Sequence, residues 1–220
     1  MTDGVWAVVV AGGSGSRFGS LKQFATLGGR PVVERSVAAC RSVAGHVVVV
    51  LPVGDVDRPS GADVVVPGGA TRSASVRMGL AAVPETAEFV VVHDAARPLA
   101  DPSLFASVLE AVRVGPGAAA TCAVPVSDTL KEVGGEPPVV LRTLERGALV
   151  AVQTPQAFTA AVLRRAHDTG AEATDDAALV EALGATVRVV PGDARNLKLT
   201  TPGDLHIAEY LVATGSSVGS

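Results

Sequence analysis

Short valine-rich runs alternate with segments of helical spacing along nearly the whole chain, and this alternation restricts the fold more than any other feature. Residues 5–11, 46–51, 63–66, 88–93, 118–124 and 186–190 are apolar runs of strand length. Continuous apolar character of this kind suits strands covered on both faces. Between them lie segments with helical signals. Pro31 opens one that reaches about Val43 with Glu34 early in it, and a Thr/Ser cap region opens 71–83 with Val76, Leu80 and Val83 on one face. Further helices are expected over 102–114, 159–167, 175–183 and 203–212. Strand and helix in alternation with short connections imply an α/β domain with a mostly parallel sheet packed on both sides. Ligands of such sheets bind beyond the carboxyl ends of the strands.

One stretch departs from the alternation. Residues 128–133 and 139–143 read as two strands around the turn Gly134-Gly135-Glu136-Pro137-Pro138, a β-hairpin with no helix of its own. A lone hairpin buries too little to be stable in water, so it should pack on another surface, most simply a second copy of the chain. At 220 residues the chain can form one domain with a sizeable core. The expectation is therefore a single Rossmann-like domain over 1–220 with a projecting arm at about 128–146.

The first strand runs into VVVAGGSGSRFGSLKQF, where Gly12, Gly13 and Gly15 allow a sharp turn and bring bare N–H groups near a ligand. Arg17 and Lys22 add positive charge where a triphosphate would lie. A Walker A loop would need Gly-Lys-Ser/Thr after the turn, and Gly15 is followed by Ser16-Arg17. The dinucleotide fingerprint GxGxxG fails at Phe18, which stands in the place of the third glycine. Taken alone, the stretch fits equally a tight strand-to-helix turn with exposed basic residues.

Composition narrows the partners. With 48% hydrophobic and 18% charged residues the chain is globular, and with 3% aromatics its core must be built from Val, Ala and Leu. A net charge of −4 gives no support to sequence-independent nucleic-acid binding, so an anionic ligand must meet a local basic pocket. Cys40 and Cys122 stand among apolar neighbours and read as small buried hydrophobes. The N-terminus lacks the basic and apolar regions of a signal peptide, and no apolar run is long enough to span a bilayer, so a cytoplasmic location without membrane contact is expected. Of 18 basic residues only Lys22, Lys131 and Lys198 are lysines. In an arginine-rich background, a lysine can mark a place that needs a compact, mobile ammonium.

Other segments set charged or hydroxyl residues beside turns: 68–75, 93–98, 143–146, 174–176 and 196–201. Each has a structural reading of its own. Thr174-Asp175 can cap a helix, Gly68-Gly69 can be a plain turn, and His93 at the end of a buried strand suits a hydrogen-bonded structural histidine better than a base.

In order along the chain, AGGSGSRFG, KQF, GGRPVVERS, PGGATRSASV, VHDAARP, PVSDTLK, QTPQAF, TDDA and NLKLTTPGDL resemble the 2-C-methyl-D-erythritol 4-phosphate cytidylyltransferases of the non-mevalonate isoprenoid pathway. The resemblance spans about residues 5–211. It implies that a substrate phosphate oxygen attacks the α-phosphorus of CTP and releases pyrophosphate, with Mg2+ present and protein ligands of the metal unknown. By the family pattern Arg17 and Lys22 stabilise the transition state, and Arg146 and Lys198 hold the attacking phosphate. Asp94, Thr129 and Thr174 bind the sugar-alcohol phosphate. Ala11, Gly12, Gly13, Ser14, Gly15, Gly69, Ser75, Ala95 and Arg97 bind the nucleotide, and a homodimer through the arm is implied. Three departures stand out: Val10-Ala11-Gly12-Gly13 replaces the usual Pro-Ala-Ala-Gly, the Arg17–Lys22 spacing is tight, and Ala70 replaces an acid. The rival readings are a cytidylyltransferase for ribitol 5-phosphate or another pentitol phosphate, a guanylyl- or uridylyltransferase, and an inactive nucleotide-binding regulator.

Overall fold

In the computed structural model, residues 2–13, 18, 21–115 and 117–215 are described. The chain starts with β1 (Val5–Val10), then forms a small hairpin of β2 (Thr26–Leu27) and β3 (Arg30–Pro31) and continues into α1 (Val32–Cys40). Gly28 and Gly29, with φ of 53° and 77°, make the two-residue turn of that hairpin, the positive φ angles that glycine adopts at little cost. Next come β4 (His46–Leu51), β5 (Val64–Pro67), α2 (Arg72–Ala81), β6 (Phe89–Asp94), α3 (Pro102–Val114) and β7 (Ala119–Pro125). The arm is β8 (Lys131–Gly134) and β9 (Val139–Thr143), followed by β10 (Val150–Thr159), α4 (Ala160–Asp168), α5 (Asp176–Ala182), β11 (Val187–Pro191) and α6 (Pro202–Thr214).

Seven strands form one sheet in the order β11-β7-β10-β6-β1-β4-β5. Its pairs are parallel except where β10 lies antiparallel between β6 and β7. The valine runs occupy the middle of the sheet: Val8, Val9, Val48, Val49, Val91 and Val92 have no solvent exposure. Helices α1 and α3 cover one face through Val33, Val37, Phe105 and Val108, and α2, α4 and α5 cover the other through Val76, Leu163 and Val180. At Gly79 α2 comes so close to the sheet that a Cβ would sit 2.5 Å from Val8 Cγ1 and 3.1 Å from Val50 Cγ2. Glycine in mid-helix is disfavoured by about 1 kcal/mol, and close packing explains it here. A smaller cluster of Leu27, Val32, Leu199 and Ala208 ties the β2–β3 hairpin to α6 and to the segment before it.

The expected α/β class and mostly parallel sheet are therefore present, with differences in detail that include the unanticipated β2–β3 hairpin and an arm strand β8 that begins at Lys131 rather than at 128. Pro31 is the N-cap of α1 rather than its first helical residue, and α1 ends at Cys40. Strand β10 was not anticipated. Gln153, Thr154, Pro155 and Gln156 interrupt its apolar pattern, and a proline argues against a central strand. Its pairing with β7 shifts register between Val152 and Gln156, which accommodates Pro155, and the buried amides are satisfied. Gln153 Nε2 donates to Asp193 O at 2.9 Å, and Gln156 Nε2 donates to Asp175 Oδ2 at 2.7 Å.

Strands β8 and β9 pair with each other in a separate sheet. Val133, Val139, Val140 and Leu141 on this arm are each between 56% and 60% exposed, an apolar surface. Cys40 and Cys122 are buried and unpaired, and burial raises both thiol pKa values, that of Cys122 to about 11. No described helix is long and apolar enough to cross a membrane.

Candidate active site

The parallel register brings the functional segments together. Val10 pairs with Val50 and with Asp94, so β1, β4 and β6 end side by side. Ala11 N donates to Val50 O at 2.9 Å and Ala95 N to Val10 O at 3.0 Å, extending the sheet by one step into the loops. Gly68 N donates to Leu51 O at 2.7 Å, which brings the Gly68-Gly69 turn beside Gly12. Helix α2 then starts at Thr71, whose hydroxyl caps it by accepting from Ala74 N at 3.0 Å. The Ser75 hydroxyl accepts from Gly69 N at 3.2 Å and donates to Thr71 O at 2.9 Å, fixing the turn to the first turn of the helix.

These segments enclose a cavity of about 490 Å³ whose walls include Ala11, Gly12, Gly13, Gly69, Ser75, Ala95, Lys22, Asp94 and Lys198. Its floor is backbone and small side chains, which lets a flat ring approach peptide groups closely. Its rim carries the cations. Lys22 starts a single 3-10 turn and donates from Nζ to Leu199 O at 2.7 Å. Lys198 is carried there because Leu199 N bonds to Ala96 O at 2.7 Å, docking that segment on the end of β6. Arg17, Ser14 and Gly15 lie outside the described residues.

Asp94 is the electrostatic centre of the site. Its Oδ2 accepts from Lys198 Nζ at 2.6 Å and its Oδ1 from Arg72 Nε at 3.1 Å. Burial would raise its pKa, but the charges of Arg72 and Lys198 overcome that and hold the carboxyl well below its usual range. Burial likewise works against the Arg72 charge, and Asp94 and Asp176 more than compensate, so the guanidinium stays protonated. Arg72 also reaches Asp176 Oδ2 with Nη1 at 2.9 Å. Arg72 and Asp176 were not among the expected site residues. Both lie inside segments that sequence reading had marked, the 68–75 turn and TDDA, but nothing in the spacing showed that they meet.

A smaller cavity of about 190 Å³ adjoins the first and shares Arg72, Asp94 and Lys198 with it. Its other walls include Arg97, Thr154, Gln156, Thr174 and Asp175. Thr174 lines the same cavity as Asp94 and Lys198. Asp175 caps α5 by accepting from Ala178 N at 3.0 Å. Arg97 opens on this smaller cavity rather than the larger one, and its Nη1 donates to Asn196 O at 2.6 Å. His93 is fully buried between Arg97 O and Thr154 Oγ1, each 3.2 Å away. Desolvation lowers its pKa to about 4, which keeps it neutral, as suits a structural histidine. The Thr154 hydroxyl in turn accepts from Asp94 N at 3.0 Å.

Two expected residues are elsewhere in the chain's own fold. Arg146 starts a single 3-10 turn after the arm, donates from Nη1 to Ser127 O, and lines a separate cavity with Pro125, Val126, Leu149 and Val150. Thr129 is exposed on the segment joining β7 to the arm. Neither borders the two cavities around Asp94.

Among the described residues, no group of three or more His, Cys, Asp or Glu side chains could hold a metal ion. Asp94, the carboxylate of the larger cavity, already has both oxygens on cations. The chain's described side chains therefore do not fit a resident divalent metal.

A family model described as 2-C-methyl-D-erythritol 4-phosphate cytidylyltransferase (IspD) matches residues 5–214. A protein of that name from Streptomyces coelicolor is 45% identical over 228 residues, covering 94% of this chain and 84% of that protein. A bifunctional enzyme IspD/IspF from Clavibacter michiganensis is 46% identical over 239 residues, and there the match takes in all of this chain but only 57% of the relative. The crystal structure of 2-C-methyl-D-erythritol 4-phosphate cytidylyltransferase from Thermus thermophilus superposes with a TM-score of 0.80 at 43% identity, covering 94% of this chain and 98% of that one.

Proposed function

The chain belongs to the 2-C-methyl-D-erythritol 4-phosphate cytidylyltransferase family, and we propose that it transfers the cytidylyl group of CTP to 2-C-methyl-D-erythritol 4-phosphate, releasing pyrophosphate. The observation that carries this reading is the Asp94–Lys198 pair, 2.6 Å apart where a backbone-floored cavity meets a smaller polar one, with Lys22 on the rim. The larger cavity suits the nucleotide and the smaller one, with Asp94 and Thr174, suits the hydroxyls of the acceptor. Relatives named for this activity at 45% identity weigh against the pentitol-phosphate and inactive-regulator readings.

In this reading an acceptor phosphate oxygen attacks the α-phosphorus, a P–O bond forms, and the bond from the α-phosphorus to the oxygen bridging it to the β-phosphorus breaks. The electron pair leaves with pyrophosphate, and no covalent enzyme intermediate forms. The protein contributes position and charge. Lys198 holds the acceptor phosphate, and Asp94 keeps that ammonium in place until the phosphate arrives. Lys22, with Arg17, neutralises charge moving onto the leaving pyrophosphate. Magnesium enters as the counter-ion of the triphosphate, part of the substrate rather than a group held by the chain's own carboxylates.

Arg146 joins this scheme only through a second subunit. The exposed valines and leucine of the arm favour a homodimer, in which Arg146 and Thr129 next to the arm would complete the acceptor site of the partner. Two free buried cysteines fit the reducing conditions of the cytoplasm. The test is a pyrophosphate-release assay crossing the four common nucleoside triphosphates with methylerythritol, ribitol and hexose phosphates. Turnover should require CTP and methylerythritol phosphate, and equal rates with a purine triphosphate or ribitol phosphate would overturn the assignment.

A further inference from the structure

Behind the Asp94–Lys198 pair runs a buried row of polar groups that borders neither of the two cavities at its far end. Arg72 connects Asp94 to Asp176, and Asp176 Oδ1 in turn meets His167 Nε2 at 2.9 Å. Asp176 is fully buried and His167 is 3% exposed. We infer that Asp176 and His167 are positioning residues for the acceptor phosphate, acting through Arg72 on Asp94 and Lys198. The inference rests on the reading of that pair as the acceptor side.

The geometry supports it in three ways. Arg72 donates from Nε to Asp94 Oδ1 at 3.1 Å and brings Nη1 within 2.9 Å of Asp176 Oδ2 as an ion-pair contact without hydrogen-bond alignment, so its guanidinium is held between the two carboxylates. Without Asp176 the guanidinium is free to turn about the single remaining contact, and the Asp94 carboxylate turns with it. Asp176 itself is fixed by using its other oxygen on His167. An ionised carboxylate only accepts, so Nε2 carries the proton, and among the described residues Nδ1 has no hydrogen-bond partner. The imidazole is thus held by one directional bond, and its orientation and that of Asp176 are set together. Lastly, a buried ion pair is a poor source of stability compared with apolar residues of the same shape. The row is better explained by what it orders at its exposed end, where Lys198 must wait at one place.

The far end of the row lies on elements that do not border the larger cavity, whereas Arg72 borders both cavities. His167 lies near the end of α4, Asp176 at the start of α5, and Arg72 at the start of α2. A fault at Asp176 or His167, neither of which borders the larger cavity, should therefore be felt more by the acceptor than by CTP. Loss of a partner in direct contact with a metal ligand weakens binding or activity by about 10–100-fold, and His167 stands further back than that, so the low end of the range is expected.

The test is calorimetric titration of methylerythritol phosphate onto enzyme preloaded with α,β-methylene-CTP, with the analogue's own affinity measured separately. His167→Ala should weaken acceptor binding by about tenfold while the affinity for the analogue stays within about twofold. His167→Gln, whose amide nitrogen can donate to Asp176, should recover most of the loss. Asp176→Asn should weaken the acceptor at least as much as His167→Ala. Unchanged acceptor affinity in His167→Ala, or equal losses for acceptor and analogue in both His167 variants, would overturn the inference while leaving the proposed function intact. Wild-type enzyme that binds the analogue but not the acceptor would instead overturn the proposed function, and the inference with it.

Discussion

Gly69→Ala tests how closely a nucleotide must approach the backbone of this site. A Cβ at position 69 would lie 2.5 Å from Ala74 Cβ and 3.0 Å from the Ala74 carbonyl carbon. Ordinary carbon–carbon contacts are about 3.5–4.0 Å, so the turn must move by about 1 Å away from α2. The atoms in the way belong to a helix backbone and a methyl group, neither of which can swing aside. The shift also stretches the 3.2 Å bond from Gly69 N to the Ser75 hydroxyl. Overpacking of this size costs about 1–3 kcal/mol of stability, and misplacing a binding group by about 1 Å can cost a hundredfold in rate. Measured at saturating acceptor, kcat/KM for CTP should fall by about a hundredfold. The acceptor KM, measured at saturating CTP, should change little, because Asp94 and Lys198 are anchored on β6 and the segment before α6. Ser75→Ala removes the hydroxyl's hydrogen bonds from Gly69 N and to Thr71 O and should cost about 1–2 kcal/mol, a smaller loss in the same direction. Wild-type kcat/KM for CTP in Gly69→Ala would refute the idea that the Gly68-Gly69 turn forms the nucleotide wall.

Lys22→Ala should lower kcat by about a hundredfold or more with little change in KM for CTP, and Lys22→Arg should rescue only part of it, because the charge is needed as pyrophosphate leaves. A raised KM with unchanged kcat would contradict that role. Arg146→Ala and Lys22→Ala dimers should each be nearly inactive, yet recover to about a quarter of wild-type activity when mixed and exchanged, since half the dimers are mixed and each has one intact site. No recovery despite demonstrated exchange would show that Arg146 serves its own subunit. His93 has a lowered pKa of about 4 because burial opposes its charge, so between pH 6.5 and 4 the unfolded chain binds the extra proton and stability falls as pH falls. Denaturant unfolding should show a loss of about 2–3 kcal/mol from this group over that window, absent in His93→Gln, and identical pH profiles for the two proteins would contradict it.

The sheet was legible because its central strands are unbroken valine runs, which allow few other placements. Strand β10 was not, since its buried Gln153, Thr154 and Gln156 are satisfied by partners such as Asp193, Thr121 and Asp175 that are distant in sequence or on another strand. Gly12, Gly13, Gly69, Lys22, Asp94, Thr174 and Lys198 could be read because each lies inside a motif that resembles the family's, and the structure brings them to one pair of adjoining cavities. Arg72 and Asp176 could not be paired in the same way. Their 2.9 Å contact joins the starts of two helices more than a hundred residues apart, and the flanking residues of each look like ordinary cap sequences. Arg146 shows the opposite case: its motif was legible, and the single chain leaves it beside Ser127, away from Asp94.

The central claim is that an oxygen of the acceptor phosphate attacks the α-phosphorus of the cytidylyl group and becomes the bridge in the product. It is tested most directly by giving the enzyme CTP and methylerythritol phosphate labelled with oxygen-18 in its phosphate, and following the products by phosphorus NMR. The account predicts two mutually coupled diphosphate resonances, with labelled oxygen in the bridge between them and none in the pyrophosphate. Label in the pyrophosphate, or CTP consumed without the coupled pair, would contradict it.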